Sequence, residues 1–362
     1  MMKKRFVLLV AVIAMLAHHW PLLACTGITL HSKDSAYVLA RTIEWGGSDL
    51  NSRYVIVPRG YRQQSFLPSG KINGMEFSAR YGYVGLSVQQ KDFVVEGLNE
   101  VGLSAGLFYF PGYGKYEEFN EAFRATSITD LQLVSWVLGN FKTVSEVKEG
   151  IKNIHVIAID PRASTVHWRF ADVSGSQLVL EIVNGKFCFY DNTLGVLTNS
   201  PGFEWQMTNL NNYVNLYPGS AKTDEFRNLK LAPFGAGSGF LGLPGDVTPP
   251  SRFVRAAFYQ STAPQQNTAL ETILQGFQIL NNFDIPIGIE FSKDEDIADI
   301  PSATQWTSVT DLKNRKIYYR TMYNSAIRCI DLNTINFGKI KYRDAALDGS
   351  KLQPVHTVNL FN

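Results

Sequence analysis

Leu22-Leu23-Ala24-Cys25-Thr26-Gly27-Ile28-Thr29-Leu30 joins two unlike pieces of sequence. Before it, Met1–Arg5 carry Lys3, Lys4 and Arg5 with no acid, and Phe6–Ala17 (FVLLVAVIAMLA) form a twelve-residue apolar run that His18-His19-Trp20-Pro21 breaks. A basic head, a short apolar core and a small residue ahead of Cys25 have the anatomy of an export signal over residues 1–24. After it, Thr26–Leu30 alternates as a half-buried strand does, and Ala36–Trp45 (AYVLARTIEW) is a second strand candidate. The cysteine therefore stands at the first residue of a sheet.

Cleavage after Ala24 would make Cys25 the first residue of the processed chain, and two chemistries compete for it. Leu22-Leu23-Ala24-Cys25 reads as a bacterial lipobox, with Cys25 as a lipid attachment point. Alternatively, Cys25 is a nucleophile whose thiol and α-amine share one residue. An α-amine has a pKa of about 7.7–8.0, so a useful fraction is neutral and can act as base. The readings exclude each other, because lipidation consumes the thiol. A lipoprotein continues with a polar tether, whereas this cysteine runs straight into a strand, which favours the nucleophile.

Charge supports the division. The chain of 362 residues has 34 Lys+Arg against 32 Asp+Glu, but without residues 1–24 the balance is 31 against 32. A near-neutral body lacks the concentrated cationic excess of nucleic-acid binders. With 45% hydrophobic and 18% charged residues it can bury a large core. Beyond the N-terminal stretch no apolar run approaches the roughly 18–20 residues of a spanning helix, so no stable membrane span is expected.

Three cysteines occur, Cys25, Cys188 and Cys329. In an oxidising compartment Cys188 and Cys329 could pair, but burial of both as small apolar residues on strands is the preferred reading. Beyond residue 24 only His31, His155, His167 and His356 remain, with no HxxxH, HxH or CxxC spacing. Neither a metal site nor a cofactor is expected. A cysteine enzyme short of a convincing histidine needs another base, and its own α-amine supplies one.

Strand patterns fill Cys25 to about Pro111, including Arg53–Pro58, Phe77–Val88 and Phe93–Phe110. Helical spacing follows from Thr129 to Asn153, with a second segment after Lys142-Thr143 marked by Val144, Val147 and Ile151, and Thr143 and Glu146 placed as a capping box. His155–Tyr190 returns to strands. Phe203–Leu216, Arg252–Gln260 and Thr268–Phe283 read as helices, and Trp306–Asp331 closes with strands. Segregated runs of strands and helices predict α+β layers around a sheet sandwich, with residues 25–362 as one domain. Gly237-Ser238-Gly239-Phe240-Leu241-Gly242 matches G-x-G-x-x-G, but prolines flank it where a strand and a helix are needed, so a loop is the better account.

Arg41 and Glu44 alone suggest an ion pair near a strand end, Asn199 a turn, Arg252 a helix start and Tyr109 core packing. Together with Cys25 they form an ordered set: Cys25-Thr26, Arg41-Thr42-Ile43-Glu44-Trp45, Gly106-Leu107…Tyr109-Phe110-Pro111-Gly112, Thr198-Asn199-Ser200-Pro201, and Gly242-Leu243-Pro244-Gly245-Asp246 with Ser251-Arg252-Phe253. The set resembles the choloylglycine hydrolase/penicillin V acylase family of N-terminal-nucleophile (Ntn) hydrolases across nearly the whole processed chain.

That resemblance implies a four-layer αββα sandwich of two antiparallel sheets flanked by helices, and hydrolysis of a linear amide. Cys25 is implied as nucleophile, and Arg41 as the residue that holds its thiolate or amine. Glu44 stands at a position that is often Asp and is implied to bond the α-amine across one more methylene. Asn199 is implied as the oxyanion-hole side chain, Tyr109 as a backbone donor there, and Arg252 as an organising charge. Trp45, Phe108 and Phe110 are candidate lining for an apolar, bulky acyl group. The implied acyl donors are conjugated bile acids, which are preferred, phenoxyacetyl penicillins and N-acyl homoserine lactones. Export implies the periplasm of a Gram-negative bacterium, and the resemblance implies a homo-oligomer, a dimer or tetramer. A non-catalytic lipid-anchored binding protein is the reading of a different class.

Overall fold

A computed structural model describes residues 24–68, 70–294 and 303–360. Apart from Ala24, the expected export signal lies outside these residues. Along the chain, the strands of the two large sheets are β1 (Ala24–His31), β2 (Tyr37–Trp45), β3 (Arg53–Val57), β4 (Tyr83–Ser87), β5 (Val94–Asn99), β6 (Ser104–Tyr109) and β7 (Val166–Ala171). They continue with β8 (Gln177–Val183), β9 (Lys186–Asp191), β10 (Ala303–Asp311), β11 (Lys316–Thr321), β12 (Asn324–Asp331) and β13 (Arg343–Ala346). The helices are α1 (Leu133–Asn140), α2 (Val144–Ile151), α3 (Phe203–Asn209), α4 (Pro249–Thr262) and α5 (Ala269–Leu280).

One sheet runs β1-β2-β10-β11-β12 and the other β9-β8-β7-β6-β5-β4-β3-β13, with antiparallel neighbours throughout. Helix α4 packs on β1 and α5 on β2 and β10, while α1 packs on β5 and β6. The layers are therefore helix, sheet, sheet, helix. Residues of the central strands are buried on both faces, as a sandwich covered on its outer sides requires. In β2, every residue from Val38 to Glu44 is buried.

The inner faces meet closely near the start of the chain. A Cβ on Gly27 would stand 2.8 Å from Arg169 Nη1 and 2.9 Å from Phe108 Cζ, and one on Gly106 would stand 2.2 Å from Glu96 Oε2. Glycine at these two positions leaves room for buried charged groups between the sheets.

The helical stretch expected over Thr129–Asn153 forms two helices, α1 and α2, with the break at Phe141–Thr143, where the spacing places the start of the second segment. Thr143 Oγ1 accepts from the Glu146 N–H at 3.2 Å, and Glu146 reaches back to the Lys142 N–H at 2.9 Å, one residue before the cap. The glycine-rich Gly237–Gly242 segment holds only a three-residue 3-10 turn, Ser238–Phe240. Cys188 and Cys329 are unpaired on strands of different sheets, β9 and β12. The expectation that both are buried is corrected: Cys188 is half-buried and Cys329 exposed, because β9 and β12 are edge strands. No helix among the described residues is long and apolar enough to cross a membrane.

Candidate active site

The site begins with strand alternation. Cys25 lies opposite Ile43 and Gly27 opposite Arg41 in the antiparallel pair β1–β2. Successive side chains point to opposite faces, so Cys25 and Arg41 share the inner face, one step apart diagonally. Arg41 Nη2 donates to Cys25 Sγ at 3.1 Å. Thr26, of opposite parity, faces α4 and accepts from Arg252 Nη1 at 2.8 Å.

Arg41 is fully buried and held from three further directions. Its Nη1 donates to the Val95 carbonyl at 3.1 Å, the Leu107 carbonyl at 2.7 Å and Glu96 Oε2 at 3.2 Å. Phe108 packs under its guanidinium, 4.1 Å from ring centre to Cζ. Arg169 stands on the other side of Glu96, Nη2 to Oε1 3.8 Å, and burial pulls its pKa down to about 10. Arg41 thus has one orientation, with Nη2 left for the thiol.

The backbone of Cys25 is bound as closely as its side chain. Its N–H donates to Asn199 Oδ1 at 2.8 Å, and its carbonyl accepts from Arg252 Nη1 at 2.6 Å. Arg252 Nη2 also donates to Asn199 Oδ1 at 2.7 Å, and Asn199 Nδ2 donates to the Tyr109 carbonyl at 2.8 Å. An isolated bridge between Gly27 and Leu197 carries β1 alongside this turn. Five of the predicted residues, Cys25, Arg41, Asn199, Arg252 and Tyr109, therefore form one connected group.

Burial pushes the Cys25 thiol up; Arg41 opposes that shift, Glu44 adds to it, and the Tyr109 backbone N–H and Arg252 lower it. Glu44, also predicted, is fully buried, and burial raises its carboxyl to about 7 against the opposing pull of Arg252 and Arg41. Its Oε1 accepts from Thr304 Oγ1 at 3.3 Å, whereas Oε2 has no hydrogen-bond partner among the described residues. A buried carboxylate oxygen without a donor is costly, and such orphans mark places where something else binds. Glu44 lies on β2 opposite Ala24, the residue before Cys25.

The expected acyl-lining aromatics require correction. Phe108 and Phe110 have no exposed surface. Phe108 is wedged between Arg41 and Arg169, and Phe110 stacks on His167 with centroids 4.5 Å apart. Both serve the core beneath the site, since inward positions of a two-faced sheet are filled before any ligand arrives. Trp45 is half-buried at the end of β2 and donates Nε1–H to Ser48 Oγ at 3.0 Å, outside the bonded group. Among the described residues no cluster of three or more His, Cys, Asp or Glu could hold a metal ion.

Sequence reasoning passed over Glu96, Arg169, His167 and Glu181. The available signal was charge inside unbroken apolar strands: Val166-His167-Trp168-Arg169-Phe170-Ala171 and Val94-Val95-Glu96-Gly97-Leu98 are buried throughout. A charged residue there has to face another charge.

A family model described as linear amide C–N hydrolases, choloylglycine hydrolase family, matches residues 25–350. The bile salt hydrolase/transferase of Clostridium perfringens is 33% identical over 318 residues, covering 86% of this chain and 93% of that protein. The enzyme of the same name from Lactiplantibacillus plantarum is 31% identical over 315 residues, covering 85% and 92%. A crystal structure of a conjugated bile acid hydrolase variant from Clostridium perfringens superposes with TM-score 0.80 at 31% identity, covering 92% of this chain and all of that one. The protein therefore belongs to the choloylglycine hydrolase family, whose members hydrolyse linear amide C–N bonds.

Proposed function

We propose that the chain, trimmed to begin at Cys25, hydrolyses bile-acid amides, with Cys25 as nucleophile. The observation that carries this reading is the double hold on one residue. Arg41 Nη2 lies 3.1 Å from the thiol, and Asn199 and Arg252 hold its backbone. In the trimmed chain the Cys25 nitrogen is an amine, and Glu44, whose Oε2 has no hydrogen-bond partner among the described residues, stands on β2 opposite the residue before it. The amine takes the thiol proton and Glu44 steadies the ammonium that results, while Arg41 favours the thiolate.

The thiolate adds to the amide carbonyl, and the Tyr109 backbone N–H and Asn199 Nδ2 meet the oxyanion. For that, Asn199 Nδ2 must exchange the Tyr109 carbonyl for the oxyanion. The ammonium returns its proton to the leaving amine as the C–N bond breaks, leaving a thioester. Water, deprotonated by the amine, then releases the acid and restores the thiol. Names and identities of the bile salt hydrolases favour a bile-acid acyl group over a phenoxyacetyl one, since the penicillin V acylase of Pectobacterium atrosepticum is 24% identical.

Burial of the Cys25 thiol between two sheets leaves it poorly placed to carry a diacylglyceryl group, so export to a periplasm fits better than a lipid anchor. Self-association would cover exposed apolar residues of the segment after α3, among them Phe226, Leu229 and Phe234.

A panel of glycine and taurine bile-acid conjugates, penicillin V and N-acyl homoserine lactones tests the assignment. Wild type is expected to release amine fastest from the bile conjugates, and Cys25→Ser to lose at least about 10²-fold in kcat with its fold intact. Equal turnover by the serine variant would overturn the nucleophile. A preference for either other substrate would overturn the acyl group.

A further inference from the structure

Asn199 is held at the site by its own side chain, but its backbone is held from below by a buried pair. His167 on β7 and Glu181 on β8 have side chains 0% and 2% exposed. His167 Nε2 lies 3.0 Å from the Thr198 carbonyl and Nδ1 lies 3.2 Å from Glu181 Oε1. That same Oε1 accepts from the Phe203 N–H at 2.8 Å, where α3 begins. Thr198 and Phe203 bracket Asn199-Ser200-Pro201-Gly202, so two touching side chains bind both ends of the turn that carries Asn199.

We propose that His167 and Glu181 are positioning residues that set the placement of Asn199 for oxyanion stabilisation. The inference rests on the reading of Asn199 given above. A carbonyl can only accept, so His167 Nε2 carries a proton, and a second proton lies between Nδ1 and Oε1. Phe110 stacked on the ring at 4.5 Å and Phe108 edge-on at 6.2 Å fix the plane in which Nε2 points. Gly202 keeps the approach open, since a Cβ there would stand 3.0 Å from Glu181 Oε2. If these side chains only filled the core, apolar residues of like size would serve as well or better, because a buried polar pair must recover its desolvation through bonds. Among the described residues, the side-chain hydrogen bonds of this pair beyond its mutual contact are the two to the turn.

The test uses the trimmed chain with His167→Phe, His167→Gln, Glu181→Leu and Glu181→Gln. Turnover is referred to Cys25 titrated by alkylation and peptide mass, so that unfolded protein is not counted. Removing an oxyanion donor outright costs about 10²–10³ in kcat, and displacing one should cost roughly tenfold or more. His167→Phe and Glu181→Leu are therefore expected to lose at least about tenfold in kcat with KM within about twofold. His167→Gln retains a donor for the Thr198 carbonyl. Glu181→Gln retains, in its amide oxygen at the place of Oε1, the acceptor for the Phe203 N–H. Both glutamine variants should recover most of the loss.

Wild-type kcat in both apolar variants, or losses that glutamine does not reduce, would overturn the proposal. Hydrogen exchange of the Phe203 amide supplies a reading independent of turnover: protected in wild type and Glu181→Gln, fast in Glu181→Leu. If wild type hydrolyses none of the amides, the functional reading fails, and this exchange pattern still decides the clamp. Unchanged protection in Glu181→Leu would refute it.

Discussion

Cys25 and Glu44 show how a residue can be placed for a partner that trimming would supply. In the untrimmed chain Glu44 is buried, its Oε2 has no hydrogen-bond partner among the described residues, and burial lifts its carboxyl to about 7. Trimming would turn the Cys25 nitrogen into an amine. An ammonium next to the carboxylate lowers the carboxyl pKa and raises that of the amine, because opposite charges favour each other's charged forms. The amine works as a base only when neutral, so kcat/KM should fall toward acid. Glu44→Gln removes the anion, and the neutral amine then persists to lower pH. The acid limb of kcat/KM is expected to move to lower pH, while kcat falls by about 10²-fold because the ammonium formed in the reaction loses its counter-charge. Rates measured between pH 4 and pH 8 check this. An acid limb unmoved in Glu44→Gln would show that the carboxylate does not act on the base.

At the scale of elements, the site depends on two sheets approaching over glycine. Gly27 lets β1 lie against Phe108 and Arg169, with clearances of 2.9 and 2.8 Å for an added Cβ. Neither side chain can retreat, since both are buried in the packed interior. Gly27→Ala is expected to destabilise by about 1–3 kcal/mol, read as a lower urea midpoint at unchanged slope. It should also slow turnover, because Phe108 supports the Arg41 guanidinium at 4.1 Å. An unchanged midpoint would mean that the sheets are not close-packed there. The strands and helices themselves were legible: alternation marked β1 and β2, and helical spacing marked α1, α2, α4 and α5, each within a few residues of the observed ends. Periodicity did not show what crosses between sheets. Phe108 and Phe110 look like pocket lining from position alone, yet their partners, Arg41 on β2 and Arg169 and His167 on β7, come from strands distant in sequence. Motif order brought Cys25, Arg41, Glu44, Asn199 and Arg252 into view; all but Arg41, which lies mid-strand in β2, stand at or near a strand end, turn or helix start. The supporting pairs of Glu96 with Arg169 and His167 with Glu181 lie inside strands, where only the fold shows which charges meet.

For the whole molecule, the charge balance and the chemistry turn on the same bond. Residues 1–24 hold the three cations that make the untrimmed chain net positive, and they also hold the Cys25 nitrogen as an amide. In that form the nitrogen donates to Asn199 Oδ1 at 2.8 Å and has no lone pair available for a proton. No histidine is hydrogen-bonded to the Cys25 thiol or backbone among the described residues, so the untrimmed chain has no evident base for the thiol. The sandwich, by contrast, does not depend on trimming: the core is built from β1 onward, and the Arg41 contact to Sγ already exists with Ala24 in place. Fold and activity should therefore separate. A chain that retains Ala24 ahead of Cys25 is expected to match the trimmed chain in melting temperature and to lose at least about 10²-fold in kcat, the contribution typical of a positioned base. Intact mass establishes which N-terminus each preparation carries, and amide turnover at equal titrated Cys25 compares them. If the chain with Ala24 retained turned over as fast as the trimmed one, the base would have to be a group other than the Cys25 amine, and Glu44, whose carboxyl burial holds near 7, would be the first to examine.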